Sequence, residues 1–229
     1  MANIRDAATV LIVQKSSDAD IEILLQQRHN NMAFLGGAHV FPGGRVDEID
    51  STPNDGWHPP HDWPQGFDAI HARAACREVF EETGLTITPG ALQPWARWLT
   101  PSAEPKRFDT RFFLTWMPEG QIPKACEIES TSLTWWTPNA AIQAHEHGDI
   151  FLPPPTLANI QYIASGSLEP PSPSIPIILP KVRLGDGMIE AVMPWAADYE
   201  TFPGDGIPLT LDEAGALRAL EHFTFHLPR

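Results

Sequence analysis

The segment 78–82 holds three glutamates, Glu78, Glu81 and Glu82, at spacings that bring them together on a helix. At about 100° per residue, their carboxylates share an arc of about 100°. Like charges at these spacings repel one another, and clustered carboxylate oxygens suit hard divalent cations, above all Mg²⁺ or Mn²⁺. The pattern therefore fits a metal site. It also fits a solvated acidic helix face on which Arg77 pairs with Glu81 at i+4.

The helix that carries these glutamates is predicted from Asp68 to Thr83, with Asp68 as N-cap and Gly84 as the residue that ends it. Its small and apolar residues fall on an arc nearly opposite the acidic one. They are Ala69, Ala72, Cys76, Val79, Phe80 and Thr83. The sequence thus predicts a helix that packs on a core through one side and presents carboxylates on the other.

Strand and helix patterns alternate along the rest of the chain. Two apolar runs, 7–13 and 21–27, are joined by turn residues and predict a hairpin. A short third run, 38–41, is stopped by Pro42-Gly43-Gly44, and 51–66 is Pro- and Gly-rich and therefore irregular. Further strands are predicted at 111–117, 133–136, 177–182, 188–192 and 223–227, and further helices at 138–147, 156–164 and 211–222. The interleaving predicts an α/β or α+β domain.

Composition narrows the classes of function. The chain has 229 residues, a net charge of −14 and 42% hydrophobic residues. This charge argues against binding to nucleic acid or to an anionic membrane, because such surfaces select basic patches. It is compatible with an anionic small molecule that a metal ion brings into an acidic site. Two cysteines and no apolar stretch of membrane-spanning length lead us to expect a cytoplasmic protein.

The run Arg77-Glu78-Val79-Phe80-Glu81-Glu82-Thr83-Gly84-Leu85, preceded by Gly43-Gly44 and Asp50, resembles the signature of Nudix hydrolases. Two departures stand out. Asp50 stands where the family usually has Glu, and 26 residues (51–76) separate it from Arg77 where the family normally has seven. The insertion falls in the irregular segment, so the helix can remain intact.

The resemblance implies hydrolysis of a diphosphate bond with Mg²⁺ or Mn²⁺ as cofactor. By analogy, Glu78 and Glu82 are metal ligands, Glu81 is a ligand or bridges two ions, and the Gly43 carbonyl completes the metal shell. Other roles that the resemblance implies are orientation of a glutamate by Arg77, close approach of phosphate at Gly44 and pairing of Asp50 within the loop–helix unit. The general base in this family is often a Glu outside the signature, and Glu129 is the candidate here. The alternative is that Glu129 caps the turn before the strand 133–136. Arg28 and Arg107 are candidate phosphate contacts, with an ordinary surface ion pair as the alternative for each.

A signature interrupted at this position resembles the branch that includes the peroxisomal coenzyme A diphosphatase. The implied reaction converts coenzyme A or acyl-CoA to 3′,5′-ADP and 4′-phosphopantetheine or its acyl form. Cleavage of ADP-ribose, NADH or a nucleotide sugar is the alternative reaction. A non-catalytic module that senses a nucleotide is the alternative of another class. In each case we expect the partner to be a small nucleotide, and we expect no binding to nucleic acid or to a membrane. A homodimer is left open as the oligomeric state.

The resemblance implies a Nudix-like α/β/α sandwich with a mixed central sheet. We expect residues 1–165 to form the Nudix domain, with an insertion at 51–67. Residues 166–229 are expected to form a Pro-rich connection and an extension that packs on the same domain. Trp57 and Trp63 in the insertion have two interpretations, as anchors of a long loop or as rings that stack on a substrate base.

Overall fold

The computed structural model describes residues 4–18, 20–29, 36–51, 56–126, 130–185, 188–206 and 222–226. Its strands are β1 (Ile4–Lys15), β2 (Ile21–Arg28), β3 (His39–Val40), β4 (Gly43–Arg45), β5 (Gln93–Leu99), β6 (Arg107–Trp116), β7 (Ser130–Trp136), β8 (Ile177–Ile178), β9 (Lys181–Gly185), β10 (Met188–Val192) and β11 (His222–His226). Its α-helices are α1 (Ala69–Thr83), α2 (Pro138–Glu146) and α3 (Pro154–Ala164). None of the helices in these ranges is long and apolar enough to cross a bilayer.

The main sheet runs in the order β3-β2-β1-β6-β5-β8, with β4 also paired to β1 and β7 to β2. The β1–β6 pair is parallel and extends from Ile4–Arg107 to Val13–Trp116, whereas β1 and β2 are antiparallel. The central sheet is therefore mixed, as expected. The end of β1, from Val13 onward, pairs with β2. Nearer the start of β1 the neighbouring strand is β4, with Thr9 opposite Gly43.

Both faces of the sheet are covered by helices. Along β1, Val10 and Ile12 pack with Ala75 and Val79 of α1. Leu11 and Val13 point to the other face and pack with residues of α2 and α3, among them Ala141 and Ile160. A continuous apolar strand is the pattern expected when a sheet is buried on both sides. This arrangement confirms the predicted α+β sandwich.

Of the longer strands, β5 is absent from the sequence predictions. Pro94 lies inside it, and proline cannot donate a hydrogen bond to a neighbouring strand. The pairing of β5 with β6 is irregular between Pro94 and Ala96, so a bulge accommodates the proline. The predicted strand 177–182 is divided into β8 and β9, and the predicted helix 211–222 lies almost wholly outside the described residues.

Residues after 166 contribute to the same core. β8 pairs in parallel with β5, and Met193 and Trp195 belong to the apolar cluster that contains Leu11. β9, β10 and β11 form a separate antiparallel sheet. Beside it, the buried Lys181 ammonium donates hydrogen bonds to the carbonyls of Tyr199 (2.8 Å) and Phe202 (2.9 Å).

The described part of the insertion, 56–67, packs against the protein rather than standing free. The Trp63 ring contacts the rings of Trp57 and Phe113, with centroid distances of 5.5 and 5.7 Å. Arg73 of α1 donates to the Trp57 carbonyl at 3.0 Å. Arg73 lies about 140° around the helix from Glu78. These contacts favour the anchoring interpretation of both tryptophans.

We therefore expect Trp63→Ala to destabilise the protein without altering its kinetics. Loss of a partly buried indole should lower the free energy of unfolding by about 2 kcal/mol. Both KM and kcat should stay at wild-type values, because the ring contacts of Trp63 are with Trp57 and Phe113. Trp116→Ala is the control, since that ring is 48% exposed at the end of β6. Urea denaturation and steady-state kinetics on both variants check this, and a changed KM in Trp63→Ala would contradict it.

Candidate active site

The helix α1 is held at both ends, which fixes where its glutamates point. At its start, the Asp68 backbone N–H donates to Nδ1 of the buried His71 at 3.3 Å. At its end, Gly84 adopts φ 70°, a left-handed conformation that glycine takes without strain. The carbonyls of Glu82 and Thr83 accept hydrogen bonds from the backbone of the segment 124–126, at 3.0 and 2.8 Å. The predicted N-cap, extent and C-terminal glycine of this helix are confirmed.

The Glu82 side chain extends from α1 to residues of β2 and β4. Its side-chain Oε2 accepts hydrogen bonds from the Gly43 backbone N–H (2.7 Å) and from Nε2 of Gln26 (2.6 Å). The residue is only 3% exposed. This burial raises the pKa of Glu82 to about 8, against the opposing effect of the two hydrogen bonds. An ionised Glu82 is therefore costly unless a positive charge lies nearby.

Both glycines of β4 have close neighbours where a side chain would otherwise stand. Gly43 has φ 153°, and a Cβ there would meet the backbone of β1 at 2.4 Å from the Ala8 carbonyl oxygen. A Cβ on Gly44 would lie 2.5 Å from the carboxylate carbon of Glu78. The missing side chains allow α1 to bring its carboxylates against the backbone of β4. Gly43 contacts Glu82 through its backbone N–H. The role of the Gly43 carbonyl as a metal ligand stays a prediction.

Arg77 connects the loop before α1 to two of the glutamates. Its Nε and Nη2 each donate to the Asp50 carboxylate at 3.0 Å, and Nη2 also donates to the Arg45 carbonyl at 2.8 Å. Its Nη1 donates to Glu78 (2.9 Å) and to Glu81 (3.0 Å). The two hydrogen bonds to Asp50 have the largest effect on Arg77. Together with the contacts to Glu78, they raise the pKa of the guanidinium above its already high ordinary value. Asp50 thus pairs within the loop–helix unit, as expected.

We expect Arg77→Ala to lower the free energy of unfolding by about 3 kcal/mol, because it leaves the buried Asp50 carboxylate without its partner. Arg77→Lys should not restore stability, since an ammonium cannot form the two-pronged contact. Arg183→Ala is the matched control. Its partner is Glu190, and its side chain is 56% exposed, so its loss should cost less than about 1 kcal/mol. Equal losses in Arg77→Ala and Arg183→Ala, measured by urea denaturation, would contradict the assignment.

The three glutamates do not form a ready-made metal cage. Among the described residues, no three His, Cys, Asp or Glu side chains converge to hold a metal ion. Glu78 and Glu81 share the Arg77 guanidinium, and Glu81 is 54% exposed. Glu82 has no ion pair within the described part of the chain. A buried carboxylate without a cationic partner, beside two further glutamates, is a donor set that fits a divalent cation.

The structure brings some of the other predicted site residues towards this cluster. Arg28 ends β2, and its charge acts on Glu82 to lower the pKa of that carboxyl. The buried Nε of Arg28 has no hydrogen-bond partner among the described residues. Arg107 lies apart from the cluster. It pairs with Ile4, five residues along β1 from the Thr9–Gly43 pair, and its Nε donates to the Thr100 carbonyl.

Glu129 lies outside the described residues. The nearest described residues in sequence are Cys126, whose N–H donates to the Glu82 carbonyl, and Ser130, which pairs with Arg28. Gln26 is the site residue that sequence reasoning missed. The signal was available, because Gln26 lies two residues after the buried Leu24 on the same face of β2, where an apolar residue is expected.

Comparison with known proteins agrees with this geometry. The model of the NUDT19 Nudix domain matches residues 84–163. This range begins where α1 ends, so the match is independent of the glutamates. The acyl-coenzyme A diphosphatase NUDT19 of Xenopus laevis is 21% identical over 85% of this chain and 73% of its own length. The chain thus resembles the Nudix hydrolase family in its sequence and in its fold.

Within that family, the chain is similar to proteins named acyl-coenzyme A diphosphatases. The human NUDT19 protein of the same name is 25% identical over 62% of this chain, and the alignment spans 60% of the human protein. The crystal structure of a NUDIX hydrolase from Alicyclobacillus acidocaldarius superposes with a TM-score of 0.59 at 24% identity. It covers 72% of this chain and 93% of its own. That similarity shows a shared fold.

Proposed function

We propose that this protein cleaves the diphosphate bond of coenzyme A or acyl-CoA with Mg²⁺ or Mn²⁺, giving 3′,5′-ADP and 4′-phosphopantetheine or its acyl form. The observation that carries the reaction class is the buried Glu82 carboxylate, held against the Gly43 N–H beside Glu78. Similarity to proteins named acyl-coenzyme A diphosphatases supports the substrate.

Hydrolysis requires water to form a bond to one phosphorus of the diphosphate while the bridging P–O bond breaks. A divalent cation, when bound, neutralises the diphosphate charge and lowers the pKa of a coordinated water. Glu82 and Glu78 would hold that cation, with Glu81 as a further ligand once it releases Arg77. The proton from water would go to a carboxylate base, for which we propose Glu129.

Two further residues are proposed to bind the substrate. The Arg28 guanidinium lies near Glu82 with a buried Nε that has no protein partner in the described residues, so it can donate to a phosphate oxygen. At Gly44, the absence of a side chain allows a phosphate to approach the backbone of β4. The position of Arg107, away from the carboxylates, suits a more distant part of a long substrate such as the 3′-phosphate of coenzyme A.

A substrate panel tests the proposal. Purified protein is incubated with coenzyme A, an acyl-CoA, ADP-ribose, NADH and a nucleotide sugar, each with Mg²⁺, Mn²⁺ or EDTA. We expect metal-dependent release of 3′,5′-ADP, at a kcat/KM for coenzyme A substrates well above that for the others. Preference for ADP-ribose or NADH would overturn the substrate but keep the reaction. Inactivity on the whole panel, with nucleotide binding retained, would favour the sensing module.

A further inference from the structure

The amide of Gln26 has an unusual position for a polar side chain. Gln26 is 1% exposed on β2, in the interior of the main sheet, and it follows a run of apolar residues. Its Nε2 donates to Oε2 of Glu82 at 2.6 Å, while its own Oε1 is buried with no hydrogen-bond partner in the described ranges. Leaving a buried carbonyl oxygen unpaired costs free energy. An apolar side chain would avoid that cost, so stability alone does not account for glutamine here.

The two hydrogen bonds to Glu82 share one feature: both end on Oε2. The Gly43 backbone N–H and the Gln26 amide approach this oxygen from different strands, at 2.7 and 2.6 Å. Oε1 of Glu82 receives no hydrogen bond from the part of the chain that the structure describes. With one oxygen held from two sides, the carboxylate cannot rotate freely, and Oε1 stays available to a ligand.

Both donors are also electrically neutral. Neither a backbone N–H nor an amide cancels the charge of Glu82, whereas Arg77 pairs with both Glu78 and Glu81. A lysine or arginine at position 26 would form an ion pair with Glu82 and compete with any cation. A glutamine at this position orients the carboxylate without forming an ion pair with it.

We propose that Gln26 is a positioning residue that holds Oε2 of Glu82 so that Oε1 is directed towards a divalent cation. The inference rests on the proposed function, in which Glu82 is a metal ligand. Hydrogen-bonding partners of metal ligands fix the orientation of the ligand, and their loss commonly weakens metal binding by about 10–100-fold. Gln26 acts through Glu82 and needs no contact with the substrate.

The test is Mn²⁺ binding to the full-length protein without substrate, measured by the electron paramagnetic resonance signal of free Mn²⁺. Gln26→Leu should raise the Kd for Mn²⁺ by about tenfold or more. Gln26→Met, which keeps the length of the side chain, serves as the second variant if leucine prevents folding. Gln14→Leu is the matched control. It removes another amide–carboxylate hydrogen bond, from Gln14 to Glu22 at 2.9 Å, near the turn of the β1–β2 hairpin.

The melting temperature in EDTA separates positioning from a structural role. A structural role would lower the melting temperature of the Gln26 variants and leave the Kd unchanged. The inference is overturned if the folded Gln26→Leu or Gln26→Met protein binds Mn²⁺ within twofold of wild type. Glu82→Gln in the same assay distinguishes the two failures. If it also binds Mn²⁺ like wild type, the proposed metal site is wrong, and if it alone loses binding, only the role of Gln26 is wrong.

Discussion

Glu82→Gln is expected to lower kcat by about 10²–10³-fold or more while the protein remains folded. The amide is nearly the same size as the carboxylate, and its oxygen can still accept the hydrogen bonds from Gly43 and Gln26. The negative charge that would hold a cation is lost. Stability in EDTA should stay the same or rise, since the variant no longer buries a carboxylate without a cationic partner.

The control for this substitution is Glu22→Gln. Glu22 also accepts an amide hydrogen bond, from Gln14, but it lies near the turn of the β1–β2 hairpin, away from the cluster. Initial rates on coenzyme A with Mn²⁺ and melting curves in EDTA are measured for both variants. A kcat near the wild-type value in Glu82→Gln would show that Glu82 is not a metal ligand. If Glu82→Gln lost activity and also failed to fold, the role of the Glu82 carboxylate would be structural.

The second large effect is expected at Gly44→Ala. The new methyl group would lie 2.5 Å from the Glu78 carboxylate, so it would displace the end of a flexible side chain rather than backbone. Stability should therefore change little. A catalytic group displaced by about 1 Å can cost about 100-fold in rate, and we expect kcat to fall by at least this factor.

Gly90→Ala provides the comparison for Gly44→Ala. A Cβ at Gly90 would lie 3.5 Å from the Trp57 indole nitrogen, an ordinary contact. This variant should keep wild-type rates and stability. Kinetics on coenzyme A and urea denaturation for the two alanine variants check the prediction. Wild-type activity in Gly44→Ala would mean that the position of Glu78 against β4 has no part in the reaction.

Sequence patterns predicted the helix that carries the glutamates and most of the main sheet, because the apolar residues of α1 and β1 follow regular periods. In the prediction of secondary structure, the Gly43-Gly44 pair was expected only to stop a strand. The structure shows it as β4, since pairing with β1 depends on residues more than 30 positions away. β5 was missed because a proline inside a segment argues against a strand. The bulge that accommodates Pro94 depends on the pairing of β5 with β6, which the sequence of β5 does not show.

For the candidate site, the sequence predicted which residues one helix brings together, but not the residues that tertiary structure adds to them. The spacing of Glu78, Glu81 and Glu82 placed them on one side of α1, and the i+4 pair of Arg77 with Glu81 is present. Nothing local connects Gln26 with Glu82, which lie 56 residues apart. The packing of the insertion on the side of α1 away from Glu78 likewise depends on Phe113 of β6.

The most direct test of the proposed function is the release of 3′,5′-ADP from coenzyme A, followed by chromatography with Mn²⁺ or EDTA present. We predict steady release by the wild-type protein with Mn²⁺, none in EDTA, and a rate at least about 100-fold lower in Glu82→Gln. Release that continues in EDTA, or that Glu82→Gln retains in full, would contradict a metal-dependent diphosphatase built on this cluster.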